Sequence, residues 1–186
     1  MKLYIKNMVC NRCIMMVQHE IEKLGLTIKN IILGEVTFEK ELSIEEKKTL
    51  ETSLLSLGFE VIDDRKSRNI EKIKNVIIDL VHHHDNENTN KLSDILKTEL
   101  HHDYNYLSNL FSEEEGTTIE KYFITQKIEK VKELLEYDEL SLSEIAFQLN
   151  YSSVAYLSNQ FKKVTGLTPS YFKQLKVKKR KPLDKV

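Results

Sequence analysis

The sequence predicts two domains of different class, an α+β domain at the N-terminus and an all-α domain after it. Residues 1–62 mix alternating strand patterns with helical spacing in the order β-α-β-β-α-β. From Ile70 onward, apolar residues recur at helical spacing through the rest of the chain. The low content of Gly (5) and Pro (2) in 186 residues also favours long, uninterrupted helices.

The first domain is predicted to span residues 1–64. Leu3 and Ile5 alternate with polar residues, as in a half-buried strand. The apolar stripe that runs up to Leu24 predicts a helix that ends at Gly25. The remaining elements are strands at 27–33 and 35–39, a helix opened by the capping-box sequence Ser43-Ile-Glu-Glu46, and a strand at 59–62. Both helices are expected on one face of the sheet.

The second domain is predicted to span residues 65–186. A charged, apolar-poor segment, Asp63–Asn69, is interpreted as the boundary between the domains. The helical stripe that starts at Ile70 is interrupted by a polar run at 85–90. All later segments also have helical spacing, which makes this domain all-α.

An internal repeat is the most informative feature of the second domain. Residues 92–118 align with residues 142–168 without a gap, and ten of the 27 pairs are identical. Each copy has a short helix, a tight turn and a second helix that ends at Gly, which is the pattern of a helix-turn-helix unit. Thr117-Thr-Ile-Glu120 is predicted to be the capping box of a long connecting helix. The fold is therefore a βαββαβ domain plus an all-α domain with two helix-turn-helix units joined by a long helix.

Local turn chemistry supports both copies of the repeat. In the second copy, Ser141-Leu-Ser-Glu144 has the form of a capping box, and Asn150-Tyr-Ser-Ser153 suits a turn because Asn tolerates positive φ and Ser is a strong N-cap. In the first copy, Asp103 takes the N-cap position. Leu and Phe at equivalent positions are expected to anchor the second helix of each copy.

This architecture favours a protein that binds duplex DNA. The second helix of such a unit can enter the major groove, where base edges present a distinguishable pattern of donors and acceptors. Two units at a fixed spacing can enter successive major-groove segments about 34 Å apart. A purely structural helical repeat is the alternative, but such solenoids usually need three or more similar units.

The charge distribution is consistent with a polyanionic partner. The net charge is −1, but residues 117–186 contain 13 Lys and Arg against 8 Asp and Glu, whereas residues 68–116 contain 5 against 10. Lys162, Lys163 and the basic tail up to Lys181 are predicted to bind phosphate. A solvated basic tail without a partner would give the same composition.

Five short motifs of the second domain match a known pattern: Leu142-Ser-Glu-Ile-Ala146, Asn150-Tyr-Ser-Ser153, Tyr156-Leu-Ser-Asn159, Phe161-Lys-Lys163 and Thr165-Gly-Leu-Thr-Pro-Ser170. Through them, residues 70–175 resemble the DNA-binding domain of AraC/XylS-type transcription regulators. The resemblance implies double-stranded DNA as the partner, with RNA polymerase as a further candidate. It also implies base contacts from Tyr104, Asn105, Ser108 and Asn109 in the first unit and from Val154, Ala155, Ser158 and Asn159 in the second.

The second helix of each unit, called here its recognition helix, departs from that family in one respect. Family members commonly carry Arg or Gln there, whereas this chain has Asn and small neutral residues. Asn can form a bidentate pair with adenine, so base recognition is expected to rely on Asn109, Asn159 and DNA shape.

A pair of cysteines lies where the first strand gives way to the first helix. Cys10 and Cys13, the only cysteines of the chain, are separated by two residues. Two thiolates at this spacing can hold one soft metal ion, and a helix N-terminus favours the thiolate form. The low cysteine count also fits a reducing compartment, and the expected location is the cytoplasm.

Residues 1–62 resemble a heavy-metal-associated domain, the ferredoxin-like module of copper chaperones and metal-pumping ATPases. The resemblance rests on Met8-Val-Cys10-Asn-Arg-Cys13 and on Leu57-Gly-Phe59-Glu-Val61. It implies that Cys10 and Cys13 bind Cu(I), zinc or another heavy metal, with Met8 and Phe59 shaping the site. Asn7 stands where the family usually has Gly. A thiol redox switch and a structural domain with incidental cysteines are the two alternatives.

Other functional classes find little support in the sequence. No set of catalytic residues and no phosphate-binding glycine loop stands out, so no enzyme is predicted, and no apolar segment is long enough to predict a membrane span. The run His82-His-His84 is better explained by a helix C-terminus than by a metal. The predicted function is a DNA-binding transcription regulator that responds to a soft metal ion. The alternatives are a thiol-redox-responsive regulator and a metal-trafficking protein that delivers Cu(I).

Overall fold

The computed structural model describes residues 1–83, 91–175 and 181–186, which divide into two compact units, Met1–Asn75 and Val76–Val186. The predicted polar interruption at 85–90 and most of the basic tail, residues 176–180, lie outside the described residues. Within the described residues, no helix is long and apolar enough to cross a membrane.

The N-terminal unit contains a four-stranded antiparallel sheet with the strand order β2-β3-β1-β4. The order of its elements along the chain agrees with the predicted one. The elements are β1 (Lys2–Lys6), α1 (Asn11–Lys23), β2 (Ile28–Ile32), β3 (Glu35–Phe38), α2 (Ile44–Ser56) and β4 (Glu60–Ile62). The capping box at Ser43 is present, with Ser43 and Glu46 each bonded to the other's backbone N–H.

Opposite faces of this sheet are covered by different helices. Leu3 and Ile5 of β1 point towards α1 and α2 and share one core with their apolar stripes, as predicted. The neighbouring residue Tyr4 points the other way, where the side chains of Arg68 and Lys72 lie 4.9 and 5.2 Å from its ring centroid. The sequence did not predict a helix on this second face.

That covering helix, α3 (Arg65–His82), begins five residues earlier than the sequence predicted. The Asp64 carboxylate accepts a hydrogen bond from the Ser67 backbone N–H at 2.8 Å, which satisfies one of the free donors of its first turn. Long charged side chains are also good helix formers. The segment interpreted as a boundary is therefore helical from Arg65, and the two compact units divide within α3, between residues 75 and 76.

The C-terminal unit is all-α in its described residues, as predicted. After the last turns of α3 come α4 (Leu92–Leu100), α5 (Tyr104–Glu115), α6 (Ile119–Tyr137), α7 (Leu142–Gln148), α8 (Val154–Thr165), α9 (Pro169–Gln174) and a short 3₁₀ helix (Leu183–Lys185). Helices α4 and α5 form the first helix-turn-helix, helices α7 and α8 form the second, and α6 connects them. Positive φ at His101 (54°) and Asn150 (52°) makes the two tight turns.

One predicted cap in this unit is wrong. The sequence placed a capping box at Thr117 and Glu120, but α6 has Thr118 as its N-cap, whose hydroxyl accepts from the Lys121 backbone N–H at 3.2 Å. Glu120 therefore does not form the predicted capping box. Its carboxylate accepts a hydrogen bond from the Tyr104 hydroxyl. The second predicted box is correct, with reciprocal bonds between Ser141 and Glu144.

Replacing Ser141 with Ala should destabilise the C-terminal unit by about 0.5–2 kcal/mol, because a backbone donor at the start of α7 loses its acceptor. Chemical denaturation followed by circular dichroism measures this change. Ser143→Ala, an exposed substitution at the second residue of the same helix, is the control and should leave the midpoint nearly unchanged. An equal midpoint for both variants would show that the cap contributes nothing.

Candidate nucleic-acid interface and cysteine pair

The second helices of the two helix-turn-helix elements, α5 and α8, are built in the same way. Each begins after a capping side chain: Asp103 accepts from the Asn105 N–H at 2.8 Å, and Ser153 accepts from the Tyr156 N–H at 3.1 Å. Each ends at a glycine with positive φ, Gly116 and Gly166. The two helices therefore have the same length and the same register in the repeat.

Buried anchors fix the rotation of each helix about its axis. Leu107 and Phe111 of α5 and Leu157 and Phe161 of α8 are fully buried. Because an α-helix turns about 100° per residue, a residue two positions from both anchors faces away from them. In both helices that residue is an asparagine, Asn109 or Asn159, and both are exposed.

The predicted base-contacting residues divide into two groups. Asn105, Asn109, Ala155 and Asn159 are exposed on the outward faces, as are Lys162 and Lys163. Tyr104, Ser108, Val154 and Ser158 are half-buried at the margins of these faces. The outward centre of each helix is thus occupied by the asparagine and by the residue one turn before it.

Tyr104 is held by a partner within its own unit. Its hydroxyl donates to the carboxylate of Glu120 at the start of α6. Burial and this hydrogen bond raise the pKa of Tyr104, while the same bond lowers the pKa of Glu120. The Tyr104 hydroxyl therefore links α5 to α6 by a hydrogen bond, a contact that the sequence did not predict.

The two outward faces differ in charge. Lys162 and Lys163 are exposed near the end of α8, whereas Glu113, Glu114 and Glu115 are exposed near the end of α5. Of the predicted basic tail, residues 176–180 lie outside the described residues, and the Lys181 backbone N–H donates to the Glu129 carboxylate of α6 at 3.1 Å. Positive charge thus belongs to the second recognition helix, and negative charge to the first.

The turn of the second helix-turn-helix rests on the connecting helix. The ammonium group of Lys127 in α6 lies 4.0 Å from the ring centroid of Tyr151 and 5.5 Å from that of Phe123. Burial lowers the pKa of Lys127 to about 8. This contact fixes the turn against α6 and so contributes to the placement of α8.

Two exposed aromatic residues on the recognition helices, Tyr106 and Tyr156, were not among the predicted site residues. They are an identical pair in the repeat. The Tyr106 ring lies 5.1 Å from that of His102, and the Tyr156 ring lies 6.0 Å from that of Tyr151. Their identity in the two copies was the signal that could have identified them as site residues. Most of the other identical pairs are apolar anchors or turn residues, which packing explains.

The two cysteines lie together at the start of α1. Cys10 is its N-cap residue, and the Sγ atoms of Cys10 and Cys13 are 3.5 Å apart. Both are partly exposed. Burial is the largest effect on the Cys13 thiol and raises its pKa, opposite to the expectation that the helix start favours the thiolate.

The loop before the cysteines is held by two kinds of contact. Asn7 has φ 71°, a conformation that usually favours glycine, and its side-chain N–H donates to the Gly58 carbonyl at 2.9 Å. Met8 is fully buried and Phe59 nearly so, both in the core of the N-terminal unit. Among the described residues, no group of three or more His, Cys, Asp and Glu could hold a metal, so the loop offers two sulfur ligands.

The histidines at the end of α3 have protein partners. His82 Nε2 lies 3.1 Å from the Gln126 Oε1 of α6, and burial lowers the pKa of His82 to about 4. His83 Nδ1 lies 3.4 Å from the Asp79 carboxylate. His84 lies outside the described residues.

Comparison with known proteins agrees with this geometry. Residues 96–174 match a family model described as a helix-turn-helix domain. An uncharacterized HTH-type transcriptional regulator of Bacillus subtilis, YtdP, is 30% identical over 149 residues, which are 80% of this chain and 19% of that protein. The xylose operon regulatory protein of Escherichia coli is 35% identical over 69 residues, 37% of this chain and 18% of that protein. The chain thus spans about a fifth of the length of these relatives.

A solved structure shows the same fold for the helical part. The C-terminal domain of AraT, a response regulator from Geobacillus stearothermophilus, superimposes with a TM-score of 0.51 at 24% identity, covering 64% of this chain and 95% of that domain. The family match begins within α4 and includes α5, the connecting helix α6, and the second helix-turn-helix. Residues 96–174 of this chain are thus similar to a helix-turn-helix domain in sequence, and the helical part has the fold of that solved domain.

Proposed function

We propose that the protein is a transcription regulator that binds double-stranded DNA in a sequence-specific manner through α5 and α8. The observation that carries this proposal is the exposed asparagine at the outward centre of both helices, Asn109 and Asn159. An asparagine side chain can form two hydrogen bonds with the major-groove edge of adenine. The names of the relatives, which are transcriptional regulators, support the same function.

The connecting helix suits the placement of two recognition helices on one face of DNA. With 19 residues, α6 is about 28 Å long at the usual rise per residue. Contacts near its start, from Tyr104 to Glu120, and near its middle, from Tyr151 to Lys127, hold the two helix-turn-helix elements to it. A single chain can then occupy two successive major-groove segments, a task that often requires a dimer.

We further propose that the second helix-turn-helix is the main electrostatic anchor on DNA. Most non-specific affinity for DNA comes from cations that displace counterions from phosphate. The exposed Lys162 and Lys163 provide such cations on α8, whereas α5 carries exposed glutamates at the equivalent end. The first helix-turn-helix would dock more weakly, and a weak contact is the easier one to regulate.

For the N-terminal unit, we propose a ferredoxin-like domain of the heavy-metal-associated type that binds Cu(I) or another soft ion, such as zinc, through Cys10 and Cys13. The strand order β2-β3-β1-β4, with α1 and α2 packed on one face, supports the fold. The sulfur separation of 3.5 Å and the partial exposure of both cysteines support the site. A thiol redox switch at the same pair and Cu(I) delivery to another protein are the alternative functions.

Helix α3 is the proposed route by which the cysteine pair affects DNA binding. It packs on the sheet through Arg68 and Lys72 and ends at His82, which bonds to Gln126 of α6. A metal-dependent change in the packing of its first turns would alter its last turn, because the helix is continuous. Such coupling is a linkage between two sites. We place this function in the cytoplasm, with RNA polymerase as a further proposed partner.

Asn109→Ala and Asn159→Ala should each weaken binding to a duplex that the protein selects from a randomised pool, by about 1–3 kcal/mol, and relax the base preference at one position. The physical reason is the loss of two hydrogen bonds to a base edge. Fluorescence anisotropy and repeated selection with each variant measure both effects. Asn30→Ala, on a strand of the N-terminal unit, is the control. Unchanged affinity and preference in both variants would contradict the proposed recognition faces.

Lys162→Glu/Lys163→Glu should weaken DNA binding and give a shallower dependence of affinity on salt, since fewer counterions are released. Glu113→Gln/Glu114→Gln should strengthen binding modestly, because repulsion between α5 and phosphate decreases. Binding isotherms at several salt concentrations measure both slopes. If the lysine variant binds as tightly as the wild type with the same slope, the anchor lies elsewhere.

Cys10→Ser/Cys13→Ser should abolish the binding of Cu(I), of which the reduced wild type should bind about one equivalent, while the circular dichroism spectrum stays the same. Competition with a Cu(I) chelator measures the affinity. His83→Asn is the matched control and should bind as the wild type does, because this site depends on thiolates. Equal retention of Cu(I) by the cysteine variant would exclude this pair as the metal site.

A further inference from the structure

Tyr106 and Tyr156 occupy equivalent positions on the two recognition helices and are both exposed. The two residues are 44% and 53% exposed, large values for aromatic residues in a folded unit. The two positions are identical in the repeat, although the outward faces differ in charge between the copies. An exposed tyrosine at the same place in both helices therefore needs an explanation beyond packing.

Each of these tyrosine rings is braced by an aromatic ring from the turn that precedes its helix. Tyr106 lies against His102, with ring centroids 5.1 Å apart and planes inclined by 50°. Tyr156 lies against Tyr151, at 6.0 Å and 55°. Tilted pairs at such distances are a favourable arrangement for aromatic rings. These ring contacts restrict both tyrosine side chains before any ligand binds. Less conformational entropy is then lost when their hydroxyls form hydrogen bonds with a ligand.

The position of these tyrosines around the helix indicates what they face. Tyr156 precedes Asn159 by three residues, which places it about 60° to one side of the outward centre. It precedes Lys163 by seven residues, so both lie on one stripe along α8. A helix that enters the major groove with its centre towards the bases turns its flanks towards the sugar-phosphate backbones.

We propose that the phenol hydroxyls of Tyr106 and Tyr156 each donate a hydrogen bond to a DNA phosphate oxygen and thereby set the rotation of α5 and α8 in the groove. This inference rests on the proposed DNA binding. Tyrosine is a known donor to phosphate, and such contacts position a protein without reading sequence. The other tyrosines of the two helix-turn-helix elements have different tasks: Tyr104 is bonded to Glu120, and Tyr151 is buried in the turn.

The proposed contact has particular value in the first helix-turn-helix. On α5 the stripe that contains Tyr106 continues to the exposed Glu113, where α8 has Lys163. A neutral hydroxyl can bind phosphate there without an adjacent cation. It also releases no counterion, so its contribution to affinity should not depend on salt.

The test compares Tyr106→Phe, Tyr156→Phe and the double variant with wild type, as full chains. The probes are a duplex selected by the wild-type protein from a randomised pool and a duplex of scrambled sequence, each over a range of salt concentrations. Tyr137→Phe is the matched control, a 61% exposed tyrosine at the last residue of α6. Phenylalanine keeps the ring and its brace, so thermal stability should not change.

We expect each single variant to lose affinity by about 3- to 10-fold on both duplexes, and the double variant by roughly the product. The slope of affinity against salt should equal that of the wild type, unlike the slope of the lysine variant. Affinities equal to those of Tyr137→Phe would overturn the inference, and so would a loss confined to the selected duplex, which would indicate base contacts. Failure of the wild type to bind any duplex would instead refute the proposed function, and this inference with it.

Discussion

The burial of one leucine and one phenylalanine, four residues apart on each recognition helix, is the constraint on which the outward faces depend. Leu107 with Phe111, and Leu157 with Phe161, fill two small cores and allow each helix one rotation about its axis. Side chains opposite the anchors have to be exposed. A substitution that moved either anchor would therefore redirect every outward residue of that helix, including the asparagine at its centre.

The two recognition helices, α5 and α8, are built alike but differ in charge. The helices agree in length, caps and anchors, but one ends in exposed glutamates and the other in exposed lysines. Attraction to phosphate would be concentrated on α8, while α5 would depend on short-range hydrogen bonds. Such a division suits a regulated protein, because one half can keep the chain near DNA while the fit of the other half decides the outcome.

The two faces of the sheet in the N-terminal unit contact different helices. Residues of β1 alternate between the core under α1 and α2 and the face on which Arg68 and Lys72 of α3 lie against Tyr4. At the hairpin between β2 and β3, Gly34 has φ 76°, and a Cβ atom there would clash with the Asn75 side chain. The first part of α3 therefore contacts the sheet through Arg68, Lys72 and Asn75.

The sequence by itself determined the elements and their order, because periodicity, caps and glycine stops are local properties. The capping box at Ser141, the N-cap at Asp103 and the repeat were all visible without coordinates. The exposed positions of Asn109 and Asn159 followed from the apolar spacing of their helices. What the predicted residues contact, DNA or a metal ion, stays a prediction.

Only the tertiary structure decided the contacts between residues distant in sequence. Helix α3 places Arg68 and Lys72 against Tyr4 of the sheet, and a charged segment without an apolar stripe gives no sign of such a partner. Glu120 bonds to Tyr104 instead of capping α6, since the fold brings the starts of α5 and α6 together. The pKa of Cys13 rises because burial outweighs the effect of the helix start. Each of these outcomes depends on desolvation or on a partner that the fold supplies, and local sequence contains neither.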